Sequence, residues 1–177
     1  MNVTAAQRPA EADFAPAGLF ADPLTDRLAG FIRGIGLVVE AATLDEPTLL
    51  PGVAARRGRL LVDEARLARP GDLLHEAGHL AILEPTTRMA REGVSDDPGE
   101  EMAALAWSYA AAIFVGVDPA VVFHDGGYRG GASALLTAFA GGGYIGTPML
   151  HAYGMTLMPM PRGGPPDAFP HMRRWLR

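Results

Sequence analysis

Two histidines and a glutamate in the run His75-Glu76-Ala77-Gly78-His79 carry the strongest chemical signal in the chain. The pattern is H-E-x-x-H, and its chemistry is that of a catalytic metal. On a helix, residues four apart share one face, so the ring nitrogens of His75 and His79 converge on one ion at Zn–N distances of about 2.0–2.1 Å. Glu76 lies about 100° round the helix from His75 and about 60° from His79, in reach of a water beside the ion without ligating it. A neutral imidazole is a good zinc ligand, and a carboxylate beside polarised water can take and return a proton. With 5 His and 9 Glu in 177 residues, chance placement yields roughly 0.007 such patterns. The competing reading is a helix with two surface histidines and an ion-paired glutamate.

A zinc site with an open catalytic position takes three protein ligands. An H-x-x-G-x-x-H continuation from His79 is excluded, because Ile82 and Pro85 stand where the glycine and the third histidine belong. The chain has no cysteine, so every ligand must be His, Asp or Glu. Glu100 and Glu101 open a second expected helix further along the chain, rich in small residues (Ala103, Ala104, Ala106, Ala110, Ala111, Ala112) that let two helices approach closely. Glu101 is preferred, since its face continues through Ala104, Leu105 and Ser108. Glu100 is the alternative and Glu84 a fallback. Both glutamates of the pair have a purely structural reading as complements to the helix dipole.

The elements that would position these residues follow from periodicity. Asp22-Pro23 opens a helix over about 24–35, with Leu24, Leu28, Phe31, Ile32 and Ile35 at helical spacing. Residues 37–39 and Arg59–Val62 read as short buried strands, with turn residues Pro47, Pro51, Gly52 and Gly58 between them, so that two or three strands make a small sheet. Asp72 is expected to cap the helix carrying the histidines, which Pro85 ends. Asp96-Asp97-Pro98-Gly99 opens a helix over 99–115, Asp118-Pro119 starts a short one, and another lies near 132–140. The stretch from Thr147 onward resists placement. The expected class is α+β: a small mixed sheet on a helical zincin core, with a Gly-rich, partly helical C-terminal extension. The expected layout is a loose tail at 1–21, one domain at 22–160, and a Pro-rich segment with a short tail at 161–177.

Composition narrows the function classes. With 49% hydrophobic and 20% charged residues, the chain is long enough to bury a core without disulfides. Its 15 basic residues, all arginine, against 20 acidic ones leave a net charge of −5, which provides no footprint for a phosphate backbone. Direct nucleic-acid binding is therefore not expected, and Arg56, Arg57, Arg59, Arg173, Arg174 and Arg177 read as solvated surface. The start lacks a basic region followed by an apolar stretch, so it does not read as a secretory signal. The apolar run 102–117 falls short of the ~20 residues that span a bilayer. A cytoplasmic protein without a membrane partner is expected. Gly141-Gly142-Gly143-Tyr144-Ile145-Gly146 satisfies G-x-G-x-x-G literally, but it follows a helix and no acidic residue stands where a ribose partner would, so it reads as a loop.

The run from Leu24 to Phe123 resembles the ImmA/IrrE-type family of gluzincin metallopeptidases. The resemblance rests on Gly34-Ile35-Gly36-Leu37-Val38-Val39, on Arg59-Leu60-Leu61-Val62-Asp63 before the H-E-x-G-H helix, and on Glu101 followed by Ala104 and Trp107. It implies a bacterial zinc metallopeptidase with Zn2+ on His75, His79 and Glu101 and with Glu76 as general base. It also implies that the strand from Leu60 to Asp63 is a sheet edge pairing with an extended peptide, and a peptide or protein substrate, a transcriptional repressor among them. Leu105 departs from the pattern, standing where thermolysin-like gluzincins place an aspartate that orients a zinc histidine. Nothing in 124–177 aligns with the family. For the oxyanion-stabilising group, Tyr144 and His151 are the foremost candidates, followed by Tyr128, Tyr153 and His124; His171 reads as exposed surface. The alternative function is a zinc-binding regulatory or interaction protein with a catalytically silent site, in which His124 or His151 would fill the fourth zinc position. A zinc hydrolase acting on something other than peptide is a third reading.

Overall fold

The computed structural model describes residues 15–126, 130–143, 145–160 and 165–177. Helix α1 (Pro23–Gly34) starts where Asp22 accepts hydrogen bonds from the Thr25 backbone N–H and hydroxyl, both at 2.7 Å, with Pro23 in the first turn. Its Leu28, Phe31 and Ile32 are fully buried. Residues 15–21, grouped with the tail in the sequence reading, are tied to this helix: the Asp26 carboxylate accepts the backbone N–H groups of Gly18, Leu19 and Phe20.

Three short strands follow: β1 (Val38–Ala41), β2 (Val53–Arg56) and β3 (Arg59–Val62). The sheet order is β1-β3-β2, with β1 parallel and β2 antiparallel to β3. The expectation that the Leu60–Asp63 strand is an edge is therefore corrected. It is the middle strand, flanked by Val38↔Arg59 on one side and Val53↔Val62 on the other. The edge on the hairpin side is β2, which sequence patterning left among turns because its two alanines are poor strand formers. Arg57 and Gly58 close the hairpin with φ of 49° and 73°, as a two-residue turn matching the strand twist requires.

Helix α2 (Asp72–Ala81) lies between the sheet and α4 (Pro98–Val115). Asp72 is not its cap: the capping position is Gly71, without a side-chain bond, and Asp72 is the first helical residue. Pro85 ends α2 as expected but also opens a six-residue helix, α3 (Pro85–Ala90). From there the buried Arg88 guanidinium donates to the carbonyls of Leu80 and Leu83, pairing groups that the end of α2 leaves unsatisfied. In α4, Asp97 caps by accepting from Gly99 and Glu100 N–H. This helix is apolar nearly all round, the pattern of a helix buried on several sides, and no helix of the described residues is long and apolar enough to cross a membrane. After a 3-10 turn (Pro119–Val121) come α5 (Ala132–Ala140) and α6 (Thr147–Ala152). The Gly141–Gly146 run joins these two helices, so no strand precedes it.

The result is a mixed α+β fold of six α-helices and a three-stranded mixed sheet among the described residues. Residues 165–177 are docked on it. Trp175 packs against Phe31, Trp107 and Phe114 at centroid distances of 5.0, 5.4 and 5.0 Å. Its carbonyl accepts the Trp107 indole N–H at 3.0 Å, and Arg177 N–H donates to Ala81 at the end of α2. Trp175→Ala should cost about 3 kcal/mol, the lower end for losing a large aromatic from packing. A urea-unfolding free energy equal to the parent's would show the tail to be ornamental.

A His-His-Glu cluster on two facing helices

The residues that could hold a metal come from two helices whose spacing is set by small side chains. A Cβ built on Gly78 of α2 would lie 3.0 Å from the Ala104 carbonyl oxygen and 3.1 Å from Ser108 Oγ of α4. A side chain there would require its neighbours on α4 to give by a few tenths of an ångström. Ser108 donates to the Ala104 carbonyl at 2.6 Å and lies 3.3 Å from the Leu74 carbonyl of α2, bridging the pair.

On the facing surfaces, His75 Nε2 and His79 Nε2 are 3.2 Å apart. Glu101 Oε2 lies 3.2 Å from His79 Nε2, and Oε1 lies 3.7 Å from His75 Nε2. Ligand atoms of all three lie within 4.8 Å of one another, and among the described residues no fourth His, Asp or Glu joins the group. Two nitrogens on one tetrahedral ion at Zn–N of about 2.0–2.1 Å stand about 3.3 Å apart. The donor set fits zinc. Glu100, one residue earlier, faces elsewhere: both its oxygens pair with the Arg91 guanidinium at 3.1 and 3.3 Å. Glu84 forms an ion pair with Arg177 at 2.9 Å and does not join the group.

Electrostatics prepare His75 and Glu101 for a cation. Burial and the neighbouring His79 push the His75 imidazole down to about 4, so it is neutral, the ligating form, at physiological pH. The hydrogen bond from His79 outweighs burial and holds the Glu101 carboxyl below its ordinary range, so it is ionised. Glu76 is also buried, and burial, reinforced by Asp72 and Glu101, pushes its carboxyl up to about 7 against the pull of His79.

These shifts make a stability prediction for metal-free protein. Folded Glu76 keeps its proton to about pH 7 where an unfolded glutamate releases it near 4.5. Stability is therefore lost as pH rises through that window, by about 3 kcal/mol at ~1.4 kcal/mol per pH unit. His75 acts oppositely: the unfolded imidazole binds its proton below 6.5 and the folded one only below about 4, so stability is gained as pH rises between them. The two nearly cancel in the parent. In chelator, Glu76→Gln should match the parent near pH 4 and exceed it by about 3 kcal/mol at pH 8. Equal stability of the two at pH 8 would contradict burial of the carboxylate.

The cluster opens on a cleft of about 1010 Å3. His75, His79 and Asp72 of α2 and Glu101 and Leu105 of α4 form one side. Leu49, Leu50 and residues 94–96 also line it, as do Ala134, Leu135 and Ala138 of α5 and Gly131 at that helix's N-terminal cap. The α5 and Leu49-Leu50 lining went unread in the sequence; the only available signal was the 131, 134, 135, 138 spacing.

The candidates for an oxyanion partner fare differently. His151 is on α6, exposed, donates from Nδ1 to the Thr156 carbonyl at 3.1 Å, and does not line the cleft. Tyr153 lies under the Arg177 guanidinium at 4.0 Å. His124 pairs through Nε2 with Asp72 Oδ1 at 2.9 Å and lines a separate 280 Å3 cavity, and burial raises the Asp72 carboxyl while His124 opposes that rise. Tyr144 and Tyr128 lie outside the described residues. His171 is exposed, and its carbonyl accepts from the Thr156 hydroxyl. Set beside known proteins, the chain matches no family model, no curated protein and no solved structure.

Proposed function

We propose that this protein is a zinc-dependent metallopeptidase in which His75, His79 and Glu101 hold the ion and Glu76 is the general base. One observation carries the reading: three ligand atoms of the right types, from two helices, lie within 4.8 Å of one another beside a cleft wide enough for a peptide. Bound zinc supplies a Lewis acid that polarises a carbonyl and lowers the pKa of water to about 7. Glu76 contributes the proton transfers: its carboxylate takes a proton from the attacking water as the C–O bond forms and delivers it to the amide nitrogen as the C–N bond breaks. Its burial, which raises the carboxyl to about 7, favours an acceptor near the operating pH. His75, held neutral by burial, and Glu101, held ionised, give the site the protonation states that ligation needs. The motifs around His75–His79 and Glu101, through their resemblance to the ImmA/IrrE-type family, support a protein substrate, a transcriptional repressor being the kind that family cleaves.

A second reading is a zinc-binding regulatory protein with a silent site. His79 Nδ1 is buried with no hydrogen-bond partner among the described residues, and Leu105 offers no carboxylate to orient it, whereas zinc histidines ordinarily have such a partner. Elemental analysis combined with digestion of a denatured-protein substrate separates the two. About one zinc per chain with chelator-sensitive cleavage supports the enzyme. Zinc without cleavage moves the conclusion to the regulatory reading, and absence of bound zinc sinks both.

A further inference from the structure

The α5 side of the cleft determines what the cleft can hold. Gly131, Ala134, Leu135 and Ala138 line it, at the i, i+3, i+4, i+7 spacing of a single helix face. Three of the four are as small as side chains come. The other face of α5 is anchored by the buried Ala132 and Phe139, the latter stacked on Tyr109 at 4.5 Å. The cleft is thus wide because the residues of a fixed wall are small. Its volume of about 1010 Å3 is at the top of the ~300–1,000 Å3 range of small-ligand sites, with room for more than one residue of a polypeptide. Leu50, Leu105, Leu135 and Ile145 give it an apolar surface; of the lining carboxylates, Asp72 is paired with His124 and Glu101 stands with the histidines.

We propose that the cleft selects a polypeptide segment bearing a bulky apolar side chain, and that Ala134 and Ala138 of α5 set the size of side chain accepted. Apolar walls exclude water around an aliphatic or aromatic group and make burial of a charged side chain costly. This specificity rests on the peptidase reading for its reaction, but peptide binding can be measured without turnover.

The test uses zinc-loaded Glu76→Gln protein and three blocked pentapeptides, Ala-Gly-Xaa-Ala-Ala with Xaa as Leu, Ala or Glu, titrated by NMR. The Leu peptide should bind about 10- to 100-fold more tightly than the Ala peptide, as a well-filled apolar pocket discriminates, and the Glu peptide should be weakest. Ala134→Leu and Ala138→Leu, added separately, should erase the advantage of the Leu peptide and leave the Ala peptide within about twofold. Neither alanine is buried and leucine is a good helix former, so circular dichroism should be unchanged. Equal binding of the Leu and Glu peptides, no binding of any, or a ranking unmoved by both α5 variants overturns the inference. If the ranking holds while parent protein leaves all three peptides uncut, the peptidase reading falls and this one stands. If the parent cleaves all three alike, the reverse is true.

Discussion

Glu76→Gln should lower peptide hydrolysis by about 10²- to 10⁴-fold, the usual contribution of a positioned general base, while zinc content stays at the parent level. Glutamine keeps the shape of the side chain and cannot accept the proton. The carboxylate belongs to none of the three ligand positions, so the metal should remain. Because the metal-free variant is expected to gain stability at neutral pH, lost activity cannot be attributed to unfolding. The measurement is kcat on a confirmed substrate together with zinc per chain. A variant as active as the parent would remove Glu76 from the mechanism, and one that had lost its zinc would show that the residue ligates.

The second large effect concerns the metal. His79→Ala and Glu101→Gln should each weaken zinc binding by more than about 100-fold, since disturbing merely an outer-shell partner already costs 10–100-fold. Zinc at a thousand times the parent's dissociation constant stabilises the folded parent by about 4 kcal/mol, and at the same zinc concentration that stabilisation should fall to about 1.4 kcal/mol or less in both variants, with the matching loss of the rise in melting temperature. Glu100→Gln is the control. Its carboxylate is engaged with Arg91, so its zinc-dependent stabilisation should equal the parent's. If Glu100→Gln abolished binding and Glu101→Gln did not, the ligand would be the wrong glutamate of the pair.

The two glutamates show where sequence reasoning reached its limit. Adjacent helical residues differ by about 100° in direction, and small neighbours suggested that Glu101 faces inward. What separates the pair is that Arg91, on the loop after α3, captures Glu100, and no local pattern encodes that encounter. The same holds for Asp72: a carboxylate before a helix ordinarily reads as its cap, yet here it is drawn to His124, 52 positions away. The sheet order is a third case. The strand at Arg59–Val62 was legible from its apolar run, but its place in the middle depends on β2, whose alanines carry little strand preference.

The sequence by itself determined the chemistry on offer: two histidines one helical turn apart, a glutamate between them, and no cysteine to compete. It also determined the helices that bear them, because 3.6-residue periodicity and flanking prolines are local signals. Tertiary structure alone decided which carboxylate meets the histidines, how closely α2 and α4 approach at Gly78, and that the Gly-rich last third places a small-faced helix on the cleft. Those outcomes depend on contacts between segments far apart in the chain. A side chain's final partner is set by packing and charge around it, which its neighbours in sequence do not contain.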